Sequence, residues 1–169
     1  MSASIHALHR GLERNALRVA MVTVLLAISG ALPADAAEHE IQAIRQRGHE
    51  LMFFEPAFLR VEPGDRVTFV VDDLDHQPRS VYTPAGAQAW EAEQGQSIAV
   101  SLDVPGVYIF ECAFHNVMGM VGVLVVGEPR DRDDARAFFR RYRADTIRIN
   151  RDRLEHVWRD ELGDANGRD

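Results

Sequence analysis

Two short runs of β-branched and aromatic residues, "GVYIFEC" at 106–112 and "MVGVLVV" at 120–126, are parted by only seven residues, "AFHNVMG". The chain leaves a sheet after Cys112 and re-enters it at about Met120, so a strand anchors each end of the loop. The rest of the segment from about 39 to 127 agrees with a β architecture. In "RVTFVVD" the residues alternate, which puts Val67, Phe69 and Val71 on one face, and "SIAVSL" is a further short run. Turn signals separate the runs: "EPGD" at 62–65, "TPAG" at 83–86, "EQGQ" at 93–96 and "VPG" at 104–106. Several strands at this spacing, with no helical period between them, predict an all-β antiparallel sandwich or barrel.

The pattern changes at "GEPRDRDD", residues 127–134. Beyond it Ala135, Phe138, Phe139 and Tyr142, then Leu154, Val157, Trp158 and Leu162, recur at helical spacing among charges. The spacing predicts two amphipathic helices, at about 132–144 and 150–162, packed on the sandwich. The N-terminus reads differently again. Arg10, Arg14 and Arg18 precede an apolar run from Val19 to Ile28, and Pro33 with the small-residue "ADA" follows. That layout predicts a secretory signal over 1–36; the apolar run is short of the about 20 residues a spanning helix needs. The expected organisation is therefore a signal peptide (1–36), a β-domain (37–127) and a helical extension packed on it (128–169). No other stretch is apolar enough to span, so no stable membrane insertion is expected after cleavage.

Charge narrows the function. Every one of the 19 basic residues is arginine, and setting aside Arg10, Arg14, Arg18, Glu13 and Asp35 leaves a net charge of −8. Residues 37–127 hold 5 Arg against 13 Asp and Glu, whereas 128–169 hold 11 of each sign. An acidic β-domain argues against nucleic acid as partner. The chain has one cysteine, Cys112, which lies in the acidic part. An exported chain with one thiol forms no internal disulfide, which leaves intermolecular pairing, a reactive thiol or a metal ligand.

Cys112 shares a strand face with Phe110 and Tyr108, and the spacing that follows is Cys-x2-His-x4-Met, with Met118 also in the loop. A thiolate, an imidazole and a thioether thus converge from one loop. A soft thiolate with imidazoles and a weak axial thioether suits copper working as both Cu(I) and Cu(II), whereas a thioether contributes little to zinc. Such a trigonal site needs a second imidazole, and His39, His49, His76 and His156 are the candidates. His76 follows a strong strand and stands 36 residues before Cys112. Closing that loop costs roughly 3 kcal/mol. If the folded sandwich closes it, metal binding need not, and the site is largely preformed.

The segment 39–127 carries "MFFEPAFLRVEPGDRVTF", "PAGAQAW" and "VPGVYIFEC" leading into "CAFHNVMGMVGVLVV". In these motifs the chain resembles the type 1 (blue) copper proteins, the cupredoxins, and among them most of all the pseudoazurins, whose two C-terminal helices the tail also resembles. The resemblance implies a Greek-key cupredoxin β-sandwich with two C-terminal α-helices. It implies one copper per chain held by His76, Cys112, His115 and Met120, with Met118 not a ligand. The chain departs from the family at two places. Gln77 stands where an asparagine is common, and Phe114 stands where a proline usually precedes the loop histidine. Phe114 restores an N–H there, which is expected to donate to the Cys112 sulfur and raise the reduction potential; the Gln77 N–H is a second candidate donor.

No catalytic set is evident, so an enzyme is not expected. What the resemblance implies is a periplasmic monomer that shuttles single electrons to or from nitrite reductase or c-type cytochromes, through the His115 edge beside Asn116, Val117 and Met118. Met52 aligns with a family methionine near that surface. The family's usual lysine ring is absent, and Asp72, Asp73 and Asp75 precede His76; a redox partner with a basic docking face is expected. Copper carriage or storage is the alternative, although the chain lacks the exposed Met- and His-rich tract of a carrier. Cleavage after Ala36 would also give Ala37-Glu38-His39, a sequence able to hold Cu(II) in a square plane.

Overall fold

The computed structural model describes residues 36–163. The expected signal segment lies outside the described residues, apart from Ala36. Eight strands form: β1 (Glu38–Arg47), β2 (Glu50–Glu55), β3 (Phe58–Val61), β4 (Arg66–Val70), β5 (Pro78–Tyr82), β6 (Ile98–Ser101), β7 (Gly106–Cys112) and β8 (Val121–Val126). They make two four-stranded sheets, ordered β2-β1-β4-β6 and β3-β8-β7-β5. The Greek-key sandwich expected from the sequence is present, with one difference. The pairs β1·β4 and β3·β8 are parallel, so the sheets are mixed rather than wholly antiparallel. Strand patterning shows which segments are strands; the long crossovers that bring β4 beside β1 and β8 beside β3 decide direction.

The first sheet has one wet face. In β1 Ile41 and Ala43 are buried while Glu40 and Gln42 are exposed, and in β4 Val67 and Phe69 point inward. These meet Tyr108, Phe110, Leu124 and Val126 of the second sheet in one core cluster. Phe54 and Phe69 stand edge-on to Phe110, with centroids 5.0 and 4.9 Å away. Such pairs contribute about 0.5–1.5 kcal/mol beyond the area they bury.

The second sheet is covered on both faces, so β7 and β8 are buried at every residue and read as continuous apolar runs. Its outer face, with Val107, Ile109, Val121, Val123 and Val125, packs on the C-terminal segment. Helix α1 (Arg132–Asp145) buries Ala135 and Phe139, places Asp133 and Asp134 in its first turn and Arg143 in its last, and so complements its own dipole. The Asp131 carboxylate accepts from the Val107 N–H at 3.0 Å and the Tyr82 hydroxyl at 3.2 Å, which pins the helix start to the sheet.

The second predicted helix, over 150–162, is not a regular helix. Asn150 adopts φ 52°, outside the helical region, and turns occupy 151–154. Winding begins at Glu155, and Val157–Glu161 is opened to a wider turn in which the Leu162 N–H donates to the Val157 carbonyl at 3.2 Å. Leu154, Val157, Trp158 and Leu162 are buried nonetheless, with Trp158 stacked on Phe139 at 5.1 Å. The apolar spacing reports which side chains meet the sheet, and the backbone reaches that result without a full helix.

Candidate metal centre

The site is built from the loop after β4 and the loop after β7. Cys112 ends β7 and pairs with Pro78 of β5. Its N–H donates to the Met120 carbonyl at 3.0 Å, which closes the ligand loop at its base. Above that base the chain winds tightly: the His115 N–H donates to the Cys112 carbonyl at 3.2 Å, Asn116–Met118 forms a 3₁₀ turn, and the Met120 N–H returns to the His115 carbonyl at 3.2 Å. The Ala113 N–H donates to the Gln77 carbonyl at 2.9 Å, so the two loops are tied together beside His76.

Cys112, Met120 and His76 are fully buried, and His115 is half-buried. The Cys112 Sγ lies 3.5 Å from the His115 Nδ1. For metal–sulfur and metal–nitrogen bonds of about 2.3 and about 2.0 Å, values typical at zinc, a trigonal angle separates the donors by roughly 3.7 Å. The pair thus stands at ligand spacing. The His76 and His115 rings are 5.4 Å apart, centroid to centroid. His76 turns its Nδ1 onto the Asp73 carboxylate at 2.7 Å, while its Nε2 is buried with no hydrogen-bond partner. A buried orphan nitrogen costs free energy unless something binds it, and a metal ion fits that need. Asp73 therefore holds the ring by one nitrogen and leaves the other without a hydrogen-bond partner, an arrangement common where a carboxylate orients a histidine.

Among the described residues no three His, Cys, Asp or Glu side chains converge at mutual ligating distance. Cys112 and His115 are together; His76 stands one ring away, held by Asp73; and Met120 shares the buried cluster of Cys112. The other candidate imidazoles show no such buried, unpartnered nitrogen. His39 lies in β1 with Nε2 on Asp65 at 3.0 Å, and His49 and His156 are exposed.

Electrostatics favours neutral donors. Burial holds the His115 imidazole below its ordinary value, and the nearby His76 acts in the same direction, so His115 is in the ligating form at neutral pH. Burial alone would raise the Asp73 carboxyl, but the Asp75 N–H and His76 hold it below the usual carboxylate range.

Three sequence expectations change. Neither the Phe114 N–H nor the Gln77 N–H donates to the Cys112 sulfur among the hydrogen bonds of the described residues; the Phe114 side chain faces outward at 46% exposure. A potential raised through Phe114 loses its basis. Gln77 instead reaches the Ala92 carbonyl at 3.0 Å and the Glu91 carboxylate at 3.2 Å, and so anchors the His76 loop. The Ala37-Glu38-His39 chelate is also disfavoured, because the Ala37 N–H is held by Asp65 at 2.9 Å and β1 pairs with β4 from Glu38 onward.

Sequence reasoning missed the environment of Glu111. This carboxylate, next to Cys112, is fully buried. It accepts from Arg79 at 2.6 Å, from Asn116 at 3.2 Å and from the Tyr142 hydroxyl. Burial, then the Glu111 hydrogen bond, pushes the Tyr142 hydroxyl well above its ordinary value. Glu111 thereby joins the ligand loop, β5 and α1. An acid in an otherwise apolar strand was the available signal.

The comparisons follow from this geometry. The family model described as copper binding proteins, plastocyanin/azurin family, matches residues 41–127. The pseudoazurin of Methylorubrum extorquens is 37% identical over 119 residues, which is 69% of this chain and 80% of that protein. The pseudoazurin of Paracoccus pantotrophus is 36% identical over 118 residues, again 69% and 80%. The crystal structure of pseudoazurin from Methylobacterium extorquens superposes with a TM-score of 0.59 at 32% identity, covering 72% of this chain and 96% of that one.

Proposed function

Because this chain belongs to the plastocyanin/azurin family of copper-binding proteins and is pseudoazurin-like, its cofactor is one copper ion, and we propose that His76, Cys112, His115 and Met120 hold it. When bound, the copper supplies a single electron by cycling between Cu(I) and Cu(II). The side chains supply the rest. Cys112 and Met120 give soft sulfur donors from a β7–β8 base closed by main-chain hydrogen bonds. Asp73 orients His76. A base of this kind changes little between oxidation states, which favours fast electron exchange. The observation that carries the reading is the pairing of buried Cys112 with half-buried His115 at 3.5 Å beside the orphan His76 Nε2.

The protein acts as a periplasmic, monomeric electron carrier that meets a redox protein of the nitrite reductase or c-type cytochrome class. The half-buried His115 edge is the exit. Among the described residues the exposed large apolar side chains are Leu51, Leu74, Phe114, Val117 and Ile149. Phe114 and Val117 flank His115 in the ligand loop, Leu74 is two residues before His76, and Leu51 and Ile149 line one cleft with Met118. An apolar patch concentrated at the metal end suits weak, transient docking.

Asp75 pairs with Arg45 at 2.6 Å, Asp73 with His76 and Glu50 with Arg153, but Asp72 is exposed and Asp152 lines the Met118 cleft, which leaves an acidic excess beside His76. A partner with a basic docking face is therefore favoured. Stopped-flow electron exchange with basic and acidic c-type cytochromes at rising salt tests this. The reading expects the faster rate, falling with salt, for the basic partner; a faster rate with the acidic one overturns it. Buried sulfur donors, in place of exposed ones, weigh against copper carriage.

A further inference from the structure

The segment Ile147–Arg153 leaves α1 and crosses the ligand loop. The N–H groups of Arg148 and Ile149 both donate to the Val117 carbonyl, at 2.9 and 3.1 Å. The Asn150 side chain donates to the Met118 carbonyl at 3.0 Å. The Arg153 guanidinium donates to the Gly119 carbonyl at 2.9 Å and, through the same nitrogen, to the Met52 carbonyl at 2.6 Å; its other terminal nitrogen reaches the Leu51 carbonyl at 3.1 Å. Three successive carbonyls of the loop, 117, 118 and 119, are thus each satisfied from one segment lying about thirty residues further along.

The fit is close as well as hydrogen-bonded. Gly119 has φ 75°, and a Cβ there would stand 2.9 Å from both the Ile149 and the Asn150 carbonyl oxygens. Only glycine allows that approach. The Arg153 side chain is 12% exposed, lies over the Phe53 ring at 5.9 Å, and has Glu50 3.6 Å from its Nε. Burial holds its pKa below the ordinary arginine value. A buried guanidinium that saturates three backbone carbonyls with a planar fork is a rigid cross-link, which a lysine cannot copy.

We propose that Arg153, assisted by Asn150, is a positioning residue of the copper centre: it fixes the Gly119 end of the ligand loop, and with it the axial sulfur of Met120, against the turn at Leu51–Met52. This rests on the copper reading given above. Three hydrogen bonds hold the Met120 main chain: its carbonyl accepts from Cys112, its N–H donates to the His115 carbonyl, and the preceding carbonyl is held by Arg153. Without the Arg153 bond the peptide joining Gly119 to Met120 is held inside the loop alone, through the Met120 N–H on the His115 carbonyl, and the Met120 thioether would be freer to shift relative to a copper ion held there. Partners that orient metal ligands in this way are worth on the order of tenfold or more in affinity.

The test compares copper-loaded wild type with Arg153→Met, Arg153→Lys, Asn150→Gly and Phe139→Leu. Asn150→Gly removes only the side-chain donor and keeps a residue that accepts φ 52°. Phe139→Leu loosens α1 without touching the loop. The readouts are the paramagnetic-resonance line shape of the Cu(II) form, the rate of copper(I) release to a chelator, and the melting temperature. Arg153→Met is expected to change the line shape and speed release on the order of tenfold. Arg153→Lys should rescue this only in part, and Asn150→Gly should give a smaller change of the same kind. Phe139→Leu should lower the melting temperature with line shape and release rate unchanged. The proposal is overturned if Arg153→Met and Asn150→Gly lower the melting temperature alone, as Phe139→Leu does. A wild type lacking a thiolate-to-copper band would instead sink the copper reading on which the proposal stands.

Discussion

The two sheets of the sandwich bury their residues in different ways. In β2-β1-β4-β6 one face is largely wet, and β1, β4 and β6 alternate between core and solvent, while β2 buries both Phe53 and Phe54. In β3-β8-β7-β5 the outer face lies under α1 and the segment after it, so β7 and β8 have no wet face. The proposed metal donors are on the second sheet or bonded to it: Cys112 ends β7, Met120 leads into β8, and His76 precedes β5. The lesson is that the donors are placed where the sheet is held from both sides and is least able to give. The one-faced sheet supplies the opposing core wall.

Three substitutions and one control sharpen or break this contrast, each read by chemical denaturation of the copper-free chain. The largest effect is expected at Glu111. Glu111→Ala leaves the Tyr142 hydroxyl without its acceptor and takes the nearer carboxylate from Arg79, which keeps only Glu91, and should cost about 2–4 kcal/mol. Gln42→Ala, on the wet face of β1, should stay within about 0.5 kcal/mol. Similar costs at the two sites would break the comparison. Next is Gly122→Ala in β8, where the added Cβ would lie 2.1 Å from the Phe110 Cζ and 2.7 Å from the Ala57 carbonyl. Overpacking should cost about 1–3 kcal/mol, and a neutral result would mean that the doubly covered sheet yields easily.

The smallest effect belongs to the first sheet and depends on pH. The Asp65 carboxyl is held below its ordinary value of 3.8 by the Glu62 N–H, by His39 and by the Ala37 N–H. A carboxyl depressed on folding adds stability that is fully present above the unfolded value. That stability is lost as pH falls through the lower folded one. Asp65→Asn should remove about 1–2 kcal/mol at pH 7 and flatten the decline in stability below pH about 4. An unchanged acid limb would show that β1 is not pinned through this carboxylate.

Legibility followed the same division. Strand alternation in β1 and β4 marks one wet face and one core face, and "RVTFVVD" shows it directly. The apolar runs of β7 and β8 announce strands, but not what covers them. The burial of Glu111 is not legible locally, because its partners Arg79 and Tyr142 are 32 and 31 residues away. Cys112, His115 and Met120 were legible as a unit, since one loop carries all three. His76 was fixed by resemblance, because four imidazoles compete on spacing alone. Asp73 was read as docking charge, yet it is spent on orienting His76. Arg153 left no signal. It is one arginine among 19, and its role comes from main-chain carbonyls that any sequence has. The missing second helix has a related cause, since Asn150 and Arg153 serve the ligand loop and the chain turns there instead of winding.

The visible and paramagnetic-resonance spectra of the oxidised, copper-loaded protein test the central claim most directly. A site made of the Cys112 thiolate, two imidazoles and an axial thioether gives an intense thiolate-to-copper band that Cys112→Ser abolishes. A colourless protein with a tetragonal Cu(II) signal, unaltered by Cys112→Ser, would place the ion elsewhere and contradict the account.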